Sequence, residues 1–362
     1  MIRPPADAAG DGPAVLGRSR GPRGPVRPLV EGSPRPLVEC HDGVLLDLDG
    51  VLYVGPHAVA GAPEAVAAAR AAGLRVAFVT NNASRTPETV AAHLTALGIA
   101  AAPGDVVTSA QAAATLVAEA VAPGAAVLVV GGEGLDAALV ERGLRPVRQA
   151  SDHPAAVVQG FSPDVGWRLL AEGTYAVRAG VPWIASNLDV TVPTARGLAP
   201  GNGALVEVIA QATGRRPVAA GKPQTPLHLE AVRRTGSREP LVVGDRLDTD
   251  IEGANRAGVA SLLVLTGVTT PVDLVLAQPV HRPSYVCADL WDGLMRGHPP
   301  VHRHEAGGWS CGGWICTTTG TGIALVGAGA GLDGLRAVCA AWWHDGGGDP
   351  ETVREVVAGL GL

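Results

Sequence analysis

Lysine is nearly missing from this chain. Of its 362 residues 28 are Lys or Arg, and a single one of those, Lys222, is lysine. Coding bias accounts for the preference for arginine, and it makes the one lysine that remains informative. Aromatic residues are also few, at 3%, so Ala, Val, Leu and Gly must fill any core. Long basic runs are absent and the net charge is −6, which argues against a nucleic-acid surface. Five cysteines are too sparse, and odd in number, for a disulfide framework. No stretch reaches the ~18 consecutive apolar residues of a membrane span, and the N-terminus has no apolar signal-peptide core. A soluble cytoplasmic protein without nucleic-acid or membrane partners is the expectation.

What is present is an alternation of short apolar runs, which read as buried strands, with helical patterns. Asp47 and Asp49 close the run Val44-Leu45-Leu46, and Gly50 then turns the chain. A strand over 75–79 ends in Thr80-Asn81, after which Thr86 and Pro87 open a helix as N-cap and first residue. Lys222 lies in Gly221-Lys222-Pro223, and a strand over 241–243 ends in Gly244-Asp245 with Asp248 and Asp250 following. Such alternation predicts an α/β fold, a parallel sheet with helices on both faces. Ligands in such sheets bind at the carboxyl ends of the strands, where all these polar clusters fall.

The expected division is a disordered tail over 1–37, rich in Pro, Gly and Arg. A core follows over 38–105 and resumes over 217–298. Between its parts, 106–216 repeats the alternation and reads as a second α/β unit inserted into the first. Residues 299–362 hold four of the seven Trp and three of the five Cys. They read as a small α+β extension, a hairpin of 308–316 with 323–326 followed by helices over 332–343 and 350–360.

Together the four clusters make sense as a phosphoryl-transfer site. Asp47 is the expected nucleophile, forming an aspartyl-phosphate. Two acids two residues apart repel unless a positive charge lies between them. Mg²⁺, a hard oxygen-seeking ion, suits Asp47, the backbone carbonyl of Asp49 and Asp245. Thr80 and Asn81 would donate to the phosphoryl oxygens, and Lys222 would neutralise the remaining charge. The Asp49 side chain would protonate the leaving oxygen and then activate water. Asp250 is expected to hold Lys222 or the metal's waters. Asp248 is expected to face solvent, and Arg246 to touch substrate or form a surface ion pair.

The segments Asp47-Leu48-Asp49-Gly50-Val51, Thr80-Asn81-Asn82, Gly221-Lys222-Pro223 and Gly244-Asp245-Arg246-Leu247-Asp248-Thr249-Asp250 resemble, in order, the four motifs of the haloacid dehalogenase superfamily. The insert resembles the type-2 cap of the branch with 4-nitrophenyl and phosphoglycolate phosphatases. Ser186-Asn187-Leu188-Asp189 and Pro200-Gly201-Asn202-Gly203-Ala204-Leu205 carry that match. The resemblance covers about residues 40–295. It implies a Rossmann-like three-layer core, a mobile cap closing over small phosphomonoesters, Mg²⁺, and a homodimer through the cap. The acid at Asp49 resembles the pattern of the phosphatases rather than that of the dehalogenases.

Asn187 and Asp189 are then candidates for leaving-group recognition, with a structural turn as the competing reading. Residues 299–362 resemble the acetyltransferase-like extension of a bacterial glycerol 3-phosphate phosphatase, which points to that ester over phosphoglycolate, a nucleoside monophosphate or a sugar phosphate. A ligand-sensing scaffold on the same core is the non-enzyme alternative. The extension lacks a Gln/Arg-x-x-Gly-x-Gly/Ala pyrophosphate loop, so docking, oligomerisation or cap support is expected of it. Cys311 and Cys316, five apart on one expected strand, would face opposite ways, which disfavours a zinc site.

Overall fold

The computed structural model describes residues 29–362 apart from positions 195, 306, 321 and 347. Gly43–Leu46 is buried along its whole length, which requires strands on both sides and helices on both faces. It lies between Pro240–Gly244 and Arg75–Thr80 in a six-stranded parallel sheet. Ala260–Val264 and Tyr285–Cys287 extend the sheet on one side, and Val106–Thr108 on the other. The chain leaves Gly43–Leu46 toward Arg75–Thr80 and returns on the opposite side at Pro240–Gly244. The order therefore reverses between Gly43–Leu46 and Pro240–Gly244, and a crevice opens at such a point. Leu46 is level with both Val243 and Phe78, so Asp47, Asp245 and Thr80 emerge at one edge.

One face of this sheet packs on Ala62–Ala71, Pro87–Ala96 and Leu290–Met295, with Phe78, Leu94 and Leu294 wholly buried. The other face packs on Ser109–Ala120 and Thr225–Thr235. Ser109–Ala120 also touches a second, five-stranded parallel sheet in the order Val218–Ala219, Trp183–Ala185, Ala156–Gln159, Ala126–Val130, Arg145–Val147. Val79 and Val107 of the first sheet share one apolar cluster with Val127, Val158 and Ile184 of the second. Trp167–Arg178 and Asn202–Thr213 cover the far face of the second sheet.

Pairing moves both edges of the insert from where the pattern put them. Val106–Thr108 belongs to the first sheet and Val218–Ala219 to the second. Runs of three and two residues carry no periodicity of their own, so only their partners decide which sheet takes them.

Residues 29–37 are not a disordered tail. Leu29 and Leu37 are buried, and Ser33 exchanges backbone bonds with His298 at 2.7 Å. Each leucine contributes about 1.5–3 kcal/mol by burial, enough to hold a short segment that lacks apolar periodicity. Residues 1–28 lie outside the described residues.

The C-terminal extension forms a four-stranded antiparallel sheet, His302–Arg303, Trp309–Cys311, Trp314–Thr319 and Gly322–Gly327, against the helix Gly331–Asp345. The expected first strand is broken at Gly312-Gly313, so Cys311 and Cys316 lie on different strands. Both are buried with Cys339 in one cluster, rather than on opposite faces. Burial pushes the Cys311 and Cys316 thiols up to about 12. The extension packs on the first sheet rather than on the insert. Trp343 Nε1 donates to Val275 O at 2.9 Å, and the buried Arg336 donates to Val286 O at 2.8 Å. Among the described residues no helix is long and apolar enough to cross a membrane.

Candidate active site

Lys222 is the centre of the charge at the strand ends. Its ammonium donates to Asp47 Oδ1, to Asp250 Oδ1 at 2.7 Å and to Val79 O at 3.4 Å. Only 5% of the residue is exposed. Burial alone would lower its pKa, but Asp250 and Asp47 more than offset that and keep it charged. Asp250 gives its other oxygen to the backbone N–H of Arg246 at 3.2 Å. Both oxygens of Asp250 are therefore engaged, and it holds the lysine.

Asp47, Asp245 and Asp250 offer ligand oxygens that all lie within 4.8 Å of one another. Burial pushes Asp47 well above the usual carboxylate range, with Lys222 opposing and Asp250 adding to the rise. Burial and then Asp250 raise Asp245 to about 6. Asp245 Oδ2 accepts from Val268 N at 2.7 Å, while its Oδ1 is buried with no hydrogen-bond partner among the described residues. An orphaned carboxylate oxygen costs about 1–3 kcal/mol or more. A hard divalent cation among these carboxylates removes both the orphan and the excess negative charge, so the residues fit Mg²⁺.

Asp245 is gripped from two turns that only glycine permits. Gly50 has φ +82°, and a Cβ on Gly50 or Gly267 would run into the Asp245 carboxylate. Thr266 Oγ1 ties the second turn to the first by donating to Gly50 O at 2.6 Å. The expected site residues did not include Thr266, Gly267 and Val268. Their signal was that they terminate the strand Ala260–Val264, at the edge where the other clusters lie.

Asp49 stands exposed at the mouth, and the Tyr53 hydroxyl donates to its Oδ2 at 3.4 Å. Enough protein surrounds it for burial to raise its pKa despite opposition from Lys222 and Tyr53. That is the direction a general acid needs. The buried Thr80 accepts from Asn82 N at 3.1 Å, which leaves its hydroxyl hydrogen free to donate. The Asn81 side chain departs from expectation. Its amide is spent on Asp189 and on the main chain of Lys222, so it has no side-chain donor left for a phosphoryl group. Asn187 and Asp189 reach Asn81 from the insert. Arg246 and Asp248 are exposed and pair with each other at 2.9 Å.

A model described as haloacid dehalogenase-like hydrolase matches residues 44–145, and a related hydrolase-like model matches 219–293. A GCN5-related N-acetyltransferase-like model matches 311–362. The D-glycerol 3-phosphate phosphatase of Mycobacterium tuberculosis is 48% identical over 312 residues, 85% of this chain and 87% of that protein. An acid sugar phosphatase of Staphylococcus aureus is 40% identical over 252 residues, 69% of this chain and 95% of that one. The magnesium complex of the M. tuberculosis glycerol phosphate phosphatase superposes with a TM-score of 0.81 at 45% identity, covering 90% of this chain and 99% of that chain.

Proposed function

The chain belongs to the haloacid dehalogenase-like hydrolases, and from that premise we propose that it is a magnesium-dependent phosphomonoesterase acting on glycerol 3-phosphate. The observation that carries the reading is the convergence of Asp47, Lys222 and Asp245 at the switch point of the sheet. Similarity to a named glycerol 3-phosphate phosphatase over 85% of the chain, extension included, supports the substrate.

Asp47 attacks phosphorus as its bond to the leaving oxygen breaks, and Asp49 gives that oxygen its proton. Water then attacks the aspartyl-phosphate, Asp49 takes the proton from it, and phosphate leaves with the Asp47 carboxylate restored. Thr80 donates to a phosphoryl oxygen. Lys222, held by Asp250, faces the charge on the phosphoryl group. Asp47, Asp245 and the Asp49 carbonyl would hold Mg²⁺, which when bound would supply Lewis-acid stabilisation of that charge.

The test is phosphate release from glycerol 3-phosphate, phosphoglycolate, a nucleoside monophosphate and a sugar phosphate, with and without Mg²⁺. The highest kcat/KM is expected for glycerol 3-phosphate, with activity lost on chelation. Asp47→Asn is expected to lower turnover by at least ~10⁴-fold while the fold is retained. Near-normal turnover in that variant would sink the mechanism. Absence of any Mg²⁺-dependent release by the unaltered protein would favour a sensing scaffold.

A further inference from the structure

Asn81 joins the inserted unit to the lysine. Its Oδ1 accepts from Lys222 N at 2.8 Å, and its Nδ2 donates to Lys222 O at 3.1 Å. Paired bonds to the N–H and C=O of one residue fix its main chain as a strand partner would. A Cβ on Gly221 would lie 2.6 Å from both Asn81 Oδ1 and Ser186 O, so glycine is what lets the two segments approach.

The other side of Asn81 belongs to the insert. Asp189 Oδ1 and Oδ2 accept from Asn81 Nδ2 at 3.1 and 3.2 Å. Asn187 Nδ2 donates to Asn81 O at 2.7 Å, and Asn187 Oδ1 accepts from Asp189 N at 3.2 Å. Asn202, on the helix Asn202–Thr213, donates to Asn187 O at 2.7 Å. Asn187 is 5% exposed and Asn202 1%.

An amide can face either way, and its surroundings choose. An ionised carboxylate only accepts, so it draws Nδ2 and repels Oδ1. Asp189 thereby sets the orientation that turns Oδ1 toward the Lys222 N–H. In the flipped orientation Oδ1 would face two carboxylate oxygens, and Nδ2 would face the Lys222 N–H. Both carboxylate oxygens of Asp189 are thereby tied to Asn81.

Building on the phosphatase reading, we propose that Asp189 and Asn187 are positioning residues, which transmit the placement of the insert through Asn81 to Lys222. The lysine must reach Asp47 and Asp250 together while facing the phosphoryl group, and a displacement of ~1 Å can cost about 10²-fold in rate. The insert then governs the charge at phosphorus as well as access to it.

The test compares Asp189→Ala and Asp189→Asn with the unaltered protein on glycerol 3-phosphate, 4-nitrophenyl phosphate and acetyl phosphate. Binding of inorganic phosphate, which has no leaving group, is measured alongside by calorimetry. Asp189→Ala is expected to lower kcat/KM by a similar factor, roughly 10–100-fold, on all three substrates and to weaken phosphate binding. Asp189→Asn keeps one acceptor for Asn81 and is expected to recover most of the loss. Asn187→Ala should repeat the uniform loss, and unchanged thermal midpoints would separate positioning from unfolding. Loss confined to glycerol 3-phosphate, with phosphate binding intact, would overturn the proposal, as would no loss at all. If the unaltered protein hydrolyses none of the three substrates, the phosphatase reading fails. Phosphate binding still decides this inference: weaker in Asp189→Ala supports it, equal refutes it.

Discussion

Strands of the six-stranded sheet end in Asp47, Thr80 and Asp245, whereas Ala126–Val130, Ala156–Gln159 and Trp183–Ala185 of the five-stranded sheet run into Gly131, Gly160 and Ser186, and its edge strand Val218–Ala219 leads to a charged group, Lys222. Both sheets are parallel, helix-covered and built from the same kinds of apolar run. At the second edge the chain packs on itself. A Cβ on Gly131 would lie 3.0 Å from Gly160 O, and one on Gly160 would lie 2.8 Å from Ser186 Oγ. At the first edge three carboxylates and one ammonium converge, and like charges resist closing up without a counter-ion. A strand end in a parallel sheet is a place for a site; charge, and backbone left able to approach it, make it one.

The comparison breaks most visibly if Lys222 is dispensable. Lys222→Met leaves Asp47 and Asp250 buried without their partner. Phosphate release is expected to fall at least ~10³-fold, and chemical denaturation should show a loss of about 3 kcal/mol or more in the metal-free protein. Activity within tenfold of normal would mean that the first edge is not organised by this charge.

A smaller effect follows from Asp245, whose carboxyl titrates near 6 because of burial and Asp250. Raising a carboxyl pKa makes ionisation costly in the fold. In the metal-free protein this group therefore adds stability as pH falls through about 6. Metal binding runs the other way, since it needs the ionised form. Affinity for Mg²⁺ should weaken by up to about tenfold per pH unit below 6, read by calorimetry at pH 5 and 7. Equal affinities would remove Asp245 from the metal.

The smallest expected effect sharpens the contrast. Gly160→Ala crowds Ser186 and should cost about 1–3 kcal/mol in denaturation while leaving Mg²⁺ affinity as it was. Gly267→Ala presses on the Asp245 carboxylate and should weaken Mg²⁺ binding measurably. A shared response would mean that the two edges are mechanically one.

The strand-end rule located Asp47, Thr80, Lys222 and Asp245 because each follows or flanks an apolar run in the sequence. It missed Thr266–Val268, which looks like any turn until Gly267 is seen against Asp245. It also gave the Asn81 side chain a role toward the phosphoryl group, while its donors go to Asp189 and to Lys222 O. The competition among Asn81's possible partners is settled by segments more than 100 residues apart in sequence. The broken strand at Gly312-Gly313 and the ordered residues 29–37 were lost for a related reason, since neither has a local pattern strong enough to outweigh its neighbours.

The sequence by itself determined the alternating α/β pattern, the order of the four polar clusters and the chemistry they share, because these rest on local periodicity and residue type. Only the tertiary structure decided which sheet takes Val106–Thr108 and Val218–Ala219, which carboxylate holds Lys222, and which oxygen of Asp245 is left without a partner. Those outcomes depend on distances between segments far apart in the chain, and hydrogen bonds and charges act over a few ångströms of space whatever the separation in sequence.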